Sequence, residues 1–247
     1  MSAPPFDLSG KTALVTGSTR GIGLALAQAL AAAGVRVAIN GRRSETVDAV
    51  VAGIDGAVAA AFDVTDESAV RRGVDALGPV DVLVNNTGIT IRRPLVDLEL
   101  EEWRQLLDVN LTGAFLVARA IAPAMIERGS GKIVNVCSVM SELARPSTGA
   151  YAATKGALKM LTRTMCAEWA PHGIQANGIA PGWFRTDLTE PLQADAAFDA
   201  WLRGRVPAGR WGEPGELGGA VVFLASPASD FVNGQVLVID GGLSAVV

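Results

Sequence analysis

Tyr151 is the only tyrosine in the chain, and it stands four residues before Lys155 in the run Tyr151-Ala152-Ala153-Thr154-Lys155. On a helix, positions i and i+4 share a face, so this spacing sets a phenol beside an ammonium. A phenol with a pKa of roughly 10 is a poor base at neutral pH. A fixed cation nearby favours the phenolate, which makes the pair a usable general acid/base. By itself a Tyr-x-x-x-Lys pair suits a solvated helix equally well. Its context favours chemistry: Ser138, thirteen residues upstream, ends an apolar run and can offer its hydroxyl to a substrate carbonyl or alcohol oxygen.

What the composition lacks points the same way. The 247 residues contain one histidine, His172, and two cysteines, Cys137 and Cys166. That inventory builds no His-rich or Cys-rich zinc site, so no metal is expected. A Ser-His-Asp triad would have to run through His172 alone, which follows Pro171 at a helix end and reads as a surface residue. Two cysteines make no disulfide framework and suit a reducing compartment. Cys137 is expected to be a buried thiol facing away from Ser138. The net charge of −4, with no basic run, argues against a nucleic-acid surface.

A second constellation concerns phosphate. Gly17-Ser18-Thr19-Arg20-Gly21-Ile22-Gly23 sits where an apolar run ends and a helix-forming stretch begins. Glycines let backbone approach a pyrophosphate, and a helix N-terminus supplies N–H groups and a positive dipole end. The spacing G-x-x-x-G-x-G is not the general G-x-G-x-x-G fingerprint; its position at the first strand–helix junction gives it weight. Near the end of the second strand an acidic residue would bind a ribose 2′-hydroxyl, but the chain reads Asn40-Gly41-Arg42-Arg43, and Arg20 adds a third guanidinium. Arginines suit a 2′-phosphate, which favours NADP(H), with NAD(H) as the runner-up. Asp63-Val64 could meet the adenine, and Asn85-Asn86-Thr87-Gly88 could either brace adjacent strands or line the cofactor crevice.

The elements that must position these groups follow from periodicity. Short apolar runs at Lys11–Thr16, Val35–Ile39, Ala57–Phe62, Val80–Val84, Lys132–Cys137, Ile174–Ile179 and Gln235–Asp240 read as buried strands. Between them lie helix-forming stretches, among them Gly21–Ala33, Glu99–Val109, Gly113–Arg128 and Tyr151–Ala170. Alternation of this kind predicts an α/β fold: a doubly wound three-layer sandwich around a mainly parallel seven-stranded sheet. No linker or repeat divides the chain, so residues 1–247 read as one domain. The irregular stretch from Pro181 to Pro214 carries three of the five tryptophans and reads as a substrate loop or lid at about 182–214. Asn110, beside Thr112 and Gly113, is awkward in a helix interior and can loosen it so that a backbone carbonyl holds water. Two motifs fail on context. Gly10-Lys11-Thr12 is followed by a strand where a P-loop needs a helix, and the sequons at Asn85 and Asn110 lack a secretory signal over Met1–Lys11.

Taken together, Thr16-Gly17-x-x-x-Gly21-Ile22-Gly23, Asn85-Asn86-Thr87-Gly88, Asn110, Ser138, Tyr151-x-x-x-Lys155 and Pro181-Gly182 resemble the short-chain dehydrogenase/reductase family over nearly the whole chain. Thr87 departs from the family's usual alanine. The resemblance implies a Rossmann-type fold, a nicotinamide cofactor and hydride transfer at a CH–OH group. It implies Tyr151 as acid/base, Lys155 on the phenol and the nicotinamide ribose, Ser138 on the substrate oxygen, Asn110 in a proton relay and Thr186 on the nicotinamide amide. It also implies a homotetramer packed through Gly113–Arg128 and Tyr151–Ala170.

The segments Ser141–Pro146, Ile179–Leu188, Ala208–Pro214 and Ala228–Gln235 most resemble the gluconate branch of that family, which implies a polyhydroxy-acid substrate. Such an anion wants a cation, for which Arg145 and Arg185 are the candidates, with Trp183 beside them. The alternatives are a 3-oxoacyl-thioester reductase and a non-catalytic dinucleotide sensor. A cytoplasmic location is expected.

Overall fold

The computed structural model describes residues 6–247. The expectation of no leader over Met1–Lys11 falls partly on residues 1–5, which lie outside the described residues. Seven strands, β1 (Thr12–Val15), β2 (Arg36–Gly41), β3 (Val58–Ala61), β4 (Val82–Asn85), β5 (Gly131–Val136), β6 (Ile174–Pro181) and β7 (Val236–Ile239), form one sheet in the order β3-β2-β1-β4-β5-β6-β7. Every pairing is parallel. The order reverses between β1 and β4, so the carboxyl ends of these strands open a crevice at the switch point.

Helices cover both faces, as the near-continuous apolar strands require. Named in chain order they are α1 (Gly21–Ala32), α2 (Ser44–Val51), α3 (Glu67–Leu77), α4 (Leu100–Leu107), α5 (Gly113–Arg128), α6 (Gly149–Trp169), α7 (Glu190–Gln193), α8 (Ala196–Arg205) and α9 (Gly218–Ala225). Leu26 and Leu30 of α1 pack with Val221 and Leu224 of α9 over one face. Val70 of α3, Val117 and Ile121 of α5 and Met165 of α6 fill the other. Leu100–Arg128 is long and apolar enough to cross a membrane, yet half of its apolar window is buried inside the protein.

Two sequence expectations are resolved by this architecture. The helix loosens at Asn110, where Asp108–Thr112 forms a π-turn joining α4 to α5. The stretch read as irregular contains α7 and α8, and Phe198, Leu202 and Trp211 from this region pack on Val139. Its short, poorly amphipathic helices carry little periodic signal, which is why pattern alone misses them.

Candidate active site

A cavity of about 1120 Å³ lies along the carboxyl edge of the sheet. Its floor begins at the glycine turn. Gly17 (φ +61°) and Gly21 (φ +56°) occupy the left-handed region, where a side chain would be strained. A Cβ on Gly23 would lie 2.4 Å from both Asn86 Nδ2 and the Gly17 oxygen. Asn86 Nδ2 donates to the oxygens of Thr16 (2.9 Å) and Gly17 (3.0 Å), holding the turn open. The α1 N-terminus has neither a side-chain cap nor an acidic residue in its first turn, so its N–H groups stay free for an anion. The cradle fits a dinucleotide pyrophosphate.

Asn85 and Asn86 divide the two tasks left open between them. Asn85 Nδ2 donates to Asn135 Oδ1 at 2.9 Å, bracing β4 to β5, whereas Asn86 serves the turn. Ser18 corrects the sequence reading: it does not line the cavity, being fully buried, with Oγ donating to the Val15 oxygen (2.7 Å) and accepting from the Asn40 amide (2.9 Å). Asn40, unassigned from sequence, accepts from the Gly17 amide (3.1 Å) and donates to the oxygens of Ala60 (2.8 Å) and Phe62 (3.2 Å). It joins the turn to β2 and to the end of β3.

At the far end, Arg20, Ile22, Arg42, Asp63 and Val64 line the cavity; Arg43 does not, since it flanks α2 as its N-cap. Arg20 reaches Asp187 at 3.4 Å across the mouth. Arg42 has no ion-pair partner among the described residues. The opposite wall brings Gly88, Pro181, Gly182, Trp183 and Thr186 to the same space. Gly182 is obligatory there, because a Cβ would meet the Asp240 backbone at 2.8 Å.

Ser138, Tyr151 and Lys155 converge at the centre. Ser138, 8% exposed, leaves β5 with Oγ accepting from the Met140 amide at 3.1 Å. Tyr151 lies in the first turn of α6, and Lys155, 3% exposed, lies one turn on with Nζ 5.8 Å from the phenol ring centroid. Lys155 Nζ donates to the Val136 oxygen at 2.7 Å. Burial pushes the Tyr151 phenol up, against which the Ser138 hydroxyl and the Arg92 guanidinium act. Burial also pushes the Lys155 ammonium down to about 8. The i, i+4 spacing therefore sets Lys155 beside the phenol, and the Arg92 guanidinium adds a further pull on it. Burial likewise pushes the Cys137 thiol up.

Asn110 is fully buried and does not line the cavity. Its Nδ2 donates to the Ile89 oxygen (3.0 Å) and to Thr154 Oγ1 (3.1 Å), and its Oδ1 accepts from the Ile89 amide (2.8 Å). It clips the segment after β4 to α6, three residues beyond Tyr151.

Neither arginine expected to hold a substrate anion lines the cavity. Arg145 lies over the rings of Phe198 (4.5 Å) and Trp183 (5.7 Å), and Arg185 pairs with Glu213 (3.1 Å). Aromatic and carboxylate partners from the lid turn both side chains away. Arg92 takes the position instead: it lines the cavity, donates to the Leu188 oxygen (3.3 Å) and has no carboxylate partner among the described residues. Sequence reasoning passed over it because Arg92-Arg93 sits in a loop without periodicity. Two adjacent arginines flanking an Asn-Asn-Thr-Gly crevice were the available signal.

Comparison with known proteins decides the family. A family profile described as enoyl-(acyl carrier protein) reductase matches residues 17–244. Gluconate 5-dehydrogenase of Gluconobacter oxydans is 53% identical over 99% of each chain. The 5-keto-D-gluconate 5-reductase of Escherichia coli is 49% identical over 98% of each. The crystal structure of a gluconate 5-dehydrogenase from Burkholderia cenocepacia in complex with NADP and tartrate is 54% identical and superposes with a TM-score of 0.96 over 98% of each chain. The chain belongs to the short-chain dehydrogenase/reductase family.

As a short-chain dehydrogenase/reductase it is an oxidoreductase acting on a CH–OH group. Its departure from the family pattern at Thr87 has a structural consequence. The Thr87 hydroxyl is buried without a hydrogen-bond partner, packed against the glycine turn where a Cβ on Gly17 would approach it to 2.9 Å. Phenol, hydroxyl and two cations around one cavity can exchange a proton with a substrate oxygen while stabilising negative charge on it.

Proposed function

We propose that this short-chain dehydrogenase/reductase is an NADP(H)-dependent enzyme that interconverts D-gluconate and 5-keto-D-gluconate. The observation that carries the reading is the unpaired guanidinium of Arg92, in the same cavity as Ser138 and Tyr151 and suited to a carboxylate. The gluconate-specific relatives, alike over their whole length, support it. Arg20 and Arg42 support NADP(H), with no acidic residue at the end of β2 to select a ribose 2′-hydroxyl.

When bound, the nicotinamide supplies the hydride acceptor in oxidation and the donor in reduction. Gly17, Gly21 and Gly23 would hold the pyrophosphate on the α1 N-terminus, Asp63 and Val64 would flank the adenine, and Thr186 would meet the nicotinamide amide. In oxidation Tyr151, as phenolate, takes the proton from the substrate hydroxyl; in reduction the phenol returns it. Ser138 Oγ fixes the substrate oxygen between them. Arg92 favours the phenolate and orients the acid group of the substrate, and Lys155 holds the nicotinamide ribose. Asn110, through its clip on Ile89 and Thr154, keeps the segment beside Gly88 in register with α6. Trp183 closes the substrate end.

The test is steady-state turnover of the purified protein with D-gluconate and NADP⁺, run beside NAD⁺ and beside reduction of a 3-oxoacyl thioester. Gluconate-dependent NADPH formation is expected. Turnover of the thioester alone would replace the substrate assignment, and preference for NAD⁺ would replace the cofactor assignment.

The chain is a single catalytic domain, residues 1–247, with its lid at about 182–214. It works as a cytoplasmic homotetramer packed through α5 and α6, which leave Phe115 and Met160 exposed in the single chain. Light scattering on the purified protein checks the assembly: a monomer in solution would refute it.

A further inference from the structure

Arg145 stands in an unusual setting for a half-buried guanidinium. No carboxylate among the described residues pairs with it, and it lies outside the cavity. Its Cζ sits 4.5 Å from the Phe198 ring centroid and 5.7 Å from that of Trp183, both within cation–π range. The two rings meet edge to face at 5.1 Å, and Trp211 and Trp201 extend the cluster, Trp211 at 6.2 Å from Trp183 and Trp201 at 5.2 Å from Phe198. These aromatics belong to the lid, and Trp183 lines the cavity at its substrate end.

The backbone of Arg145 is committed to the opposite partner. Its carbonyl oxygen accepts from the Thr148 hydroxyl (2.8 Å) and amide (3.3 Å). Thr148 is the residue before α6, whose third residue is Tyr151. Between them Ser147 is held at φ +65°, the only non-glycine in the left-handed region among the described residues. Its oxygen accepts from the Arg93 amide at 3.0 Å, next to Arg92. Backbone strain at such a turn persists where surrounding contacts over-determine it. One residue thus grips the lid with its side chain and the approach to the acid/base helix with its main chain.

We propose that Arg145 is a positioning residue whose guanidinium, seated on Phe198 and Trp183, locks the lid to the turn that leads into Tyr151 and so sets the wall of the substrate pocket. It touches neither substrate nor cofactor. Its removal lets Trp183 leave its place, which weakens substrate binding and exposes the lid aromatics, while the proton-transfer groups stay where they are. A lysine keeps a cation over the rings, though without the planar stacking of a guanidinium. The effect on substrate rests on the function proposed above; the effect on the lid does not.

The experiment compares Arg145→Gln, Arg145→Lys, Phe198→Leu and the Arg145→Gln/Phe198→Leu double variant, each confirmed folded by its thermal transition and by NADPH binding. Acrylamide quenching of tryptophan emission, without substrate, is expected to rise in Arg145→Gln and to return toward wild type in Arg145→Lys. The KM for D-gluconate is expected to rise roughly tenfold in Arg145→Gln with kcat changed less than about threefold. The KM effect of the double variant is expected to fall short of the product of the two single effects, since the changes share the Arg145–Phe198 contact while Arg145→Gln alone also loses Trp183. Wild-type quenching in Arg145→Gln, or KM effects that multiply fully in the double variant, would overturn the proposal, the second because it shows that Arg145 and Phe198 act on substrate binding independently. Should the wild-type protein turn over no sugar acid, the substrate reading falls, and the quenching comparison still decides the role of Arg145.

Discussion

The Lys155 ammonium donates to the carbonyl oxygen of Val136 at 2.7 Å, which ties the acid/base helix α6 to the last residue of β5, two positions before Ser138. Burial at this spot holds the ammonium down to about 8, from an ordinary value of 10.5. Between those values the unfolded chain keeps the proton and the folded chain releases it, so folding stability rises with pH across that window. The gain is about 1 kcal/mol per pH unit. Above about pH 9 the buried Cys137 thiol and Tyr151 phenol, both pushed up, act in the opposite sense. Urea midpoints are therefore expected to increase from pH 8 to pH 9. The rise should flatten in Lys155→Met; an unchanged slope would show that another group carries it.

Tyr151→Phe removes the proton carrier and nothing else of the pocket's shape. Turnover is expected to fall by about 10²–10⁴-fold, with NADPH affinity by fluorescence titration unchanged within about twofold. Retention of a tenth of the wild-type rate would move the acid/base role elsewhere. Loss of turnover with cofactor binding kept would exclude the non-catalytic sensor.

Arg42 lines the cavity and pairs with no carboxylate among the described residues, whereas Arg20 is engaged by Asp187. A charge-assisted contact to a 2′-phosphate is worth about 1.5–3 kcal/mol. Arg42→Ala is therefore expected to weaken NADPH roughly tenfold to a hundredfold and to leave NADH unaffected. An equal loss for both cofactors would assign Arg42 to general packing.

Arg92→Ala should raise the KM for D-gluconate by roughly tenfold or more, through the lost guanidinium–carboxylate contact. It should also shift the acidic limb of the pH–rate profile for gluconate oxidation upward, because Arg92 lowers the Tyr151 pKa. A raised KM with an unmoved profile would confine Arg92 to substrate binding.

Thr87→Val replaces the buried, unpartnered hydroxyl with a methyl of the same shape. An unsatisfied buried group costs about 1–3 kcal/mol, so the variant is expected to melt about 2–12 °C higher. A lower Tm would mean that the hydroxyl has a partner in solution.

Much of this protein is written in local pattern. The apolar runs ending at Thr16, Val84 and Cys137 read as parallel strands because burial on both faces demands unbroken hydrophobicity, and all seven strands form where the runs lie. The glycine turn and the Tyr151–Lys155 pair are legible for a similar reason: spacing of a few residues within one element dictates their geometry. Even the loosened helix at Asn110 follows from residue types at adjacent positions.

Where the decision depends on direction across the fold, the sequence is silent. Arg145 and Arg185 are the anion ligands that the chain suggests, yet packing against Phe198 and pairing with Glu213 withdraw both, and Arg92 stands in the cavity in their place. Ser18 stands in the phosphate motif but turns into the core to meet Asn40, and Arg43 flanks a helix while Arg42 faces the site. Ser18, Arg145 and Arg185 are each placed by a partner 22 or more residues away in sequence, brought near only when the sheet closes its crevice. Residue type and short-range spacing determined which chemistry the chain carries; long-range packing decided which of its cations and hydroxyls face that chemistry, because a side chain's direction is fixed by the neighbours it meets only in the folded state.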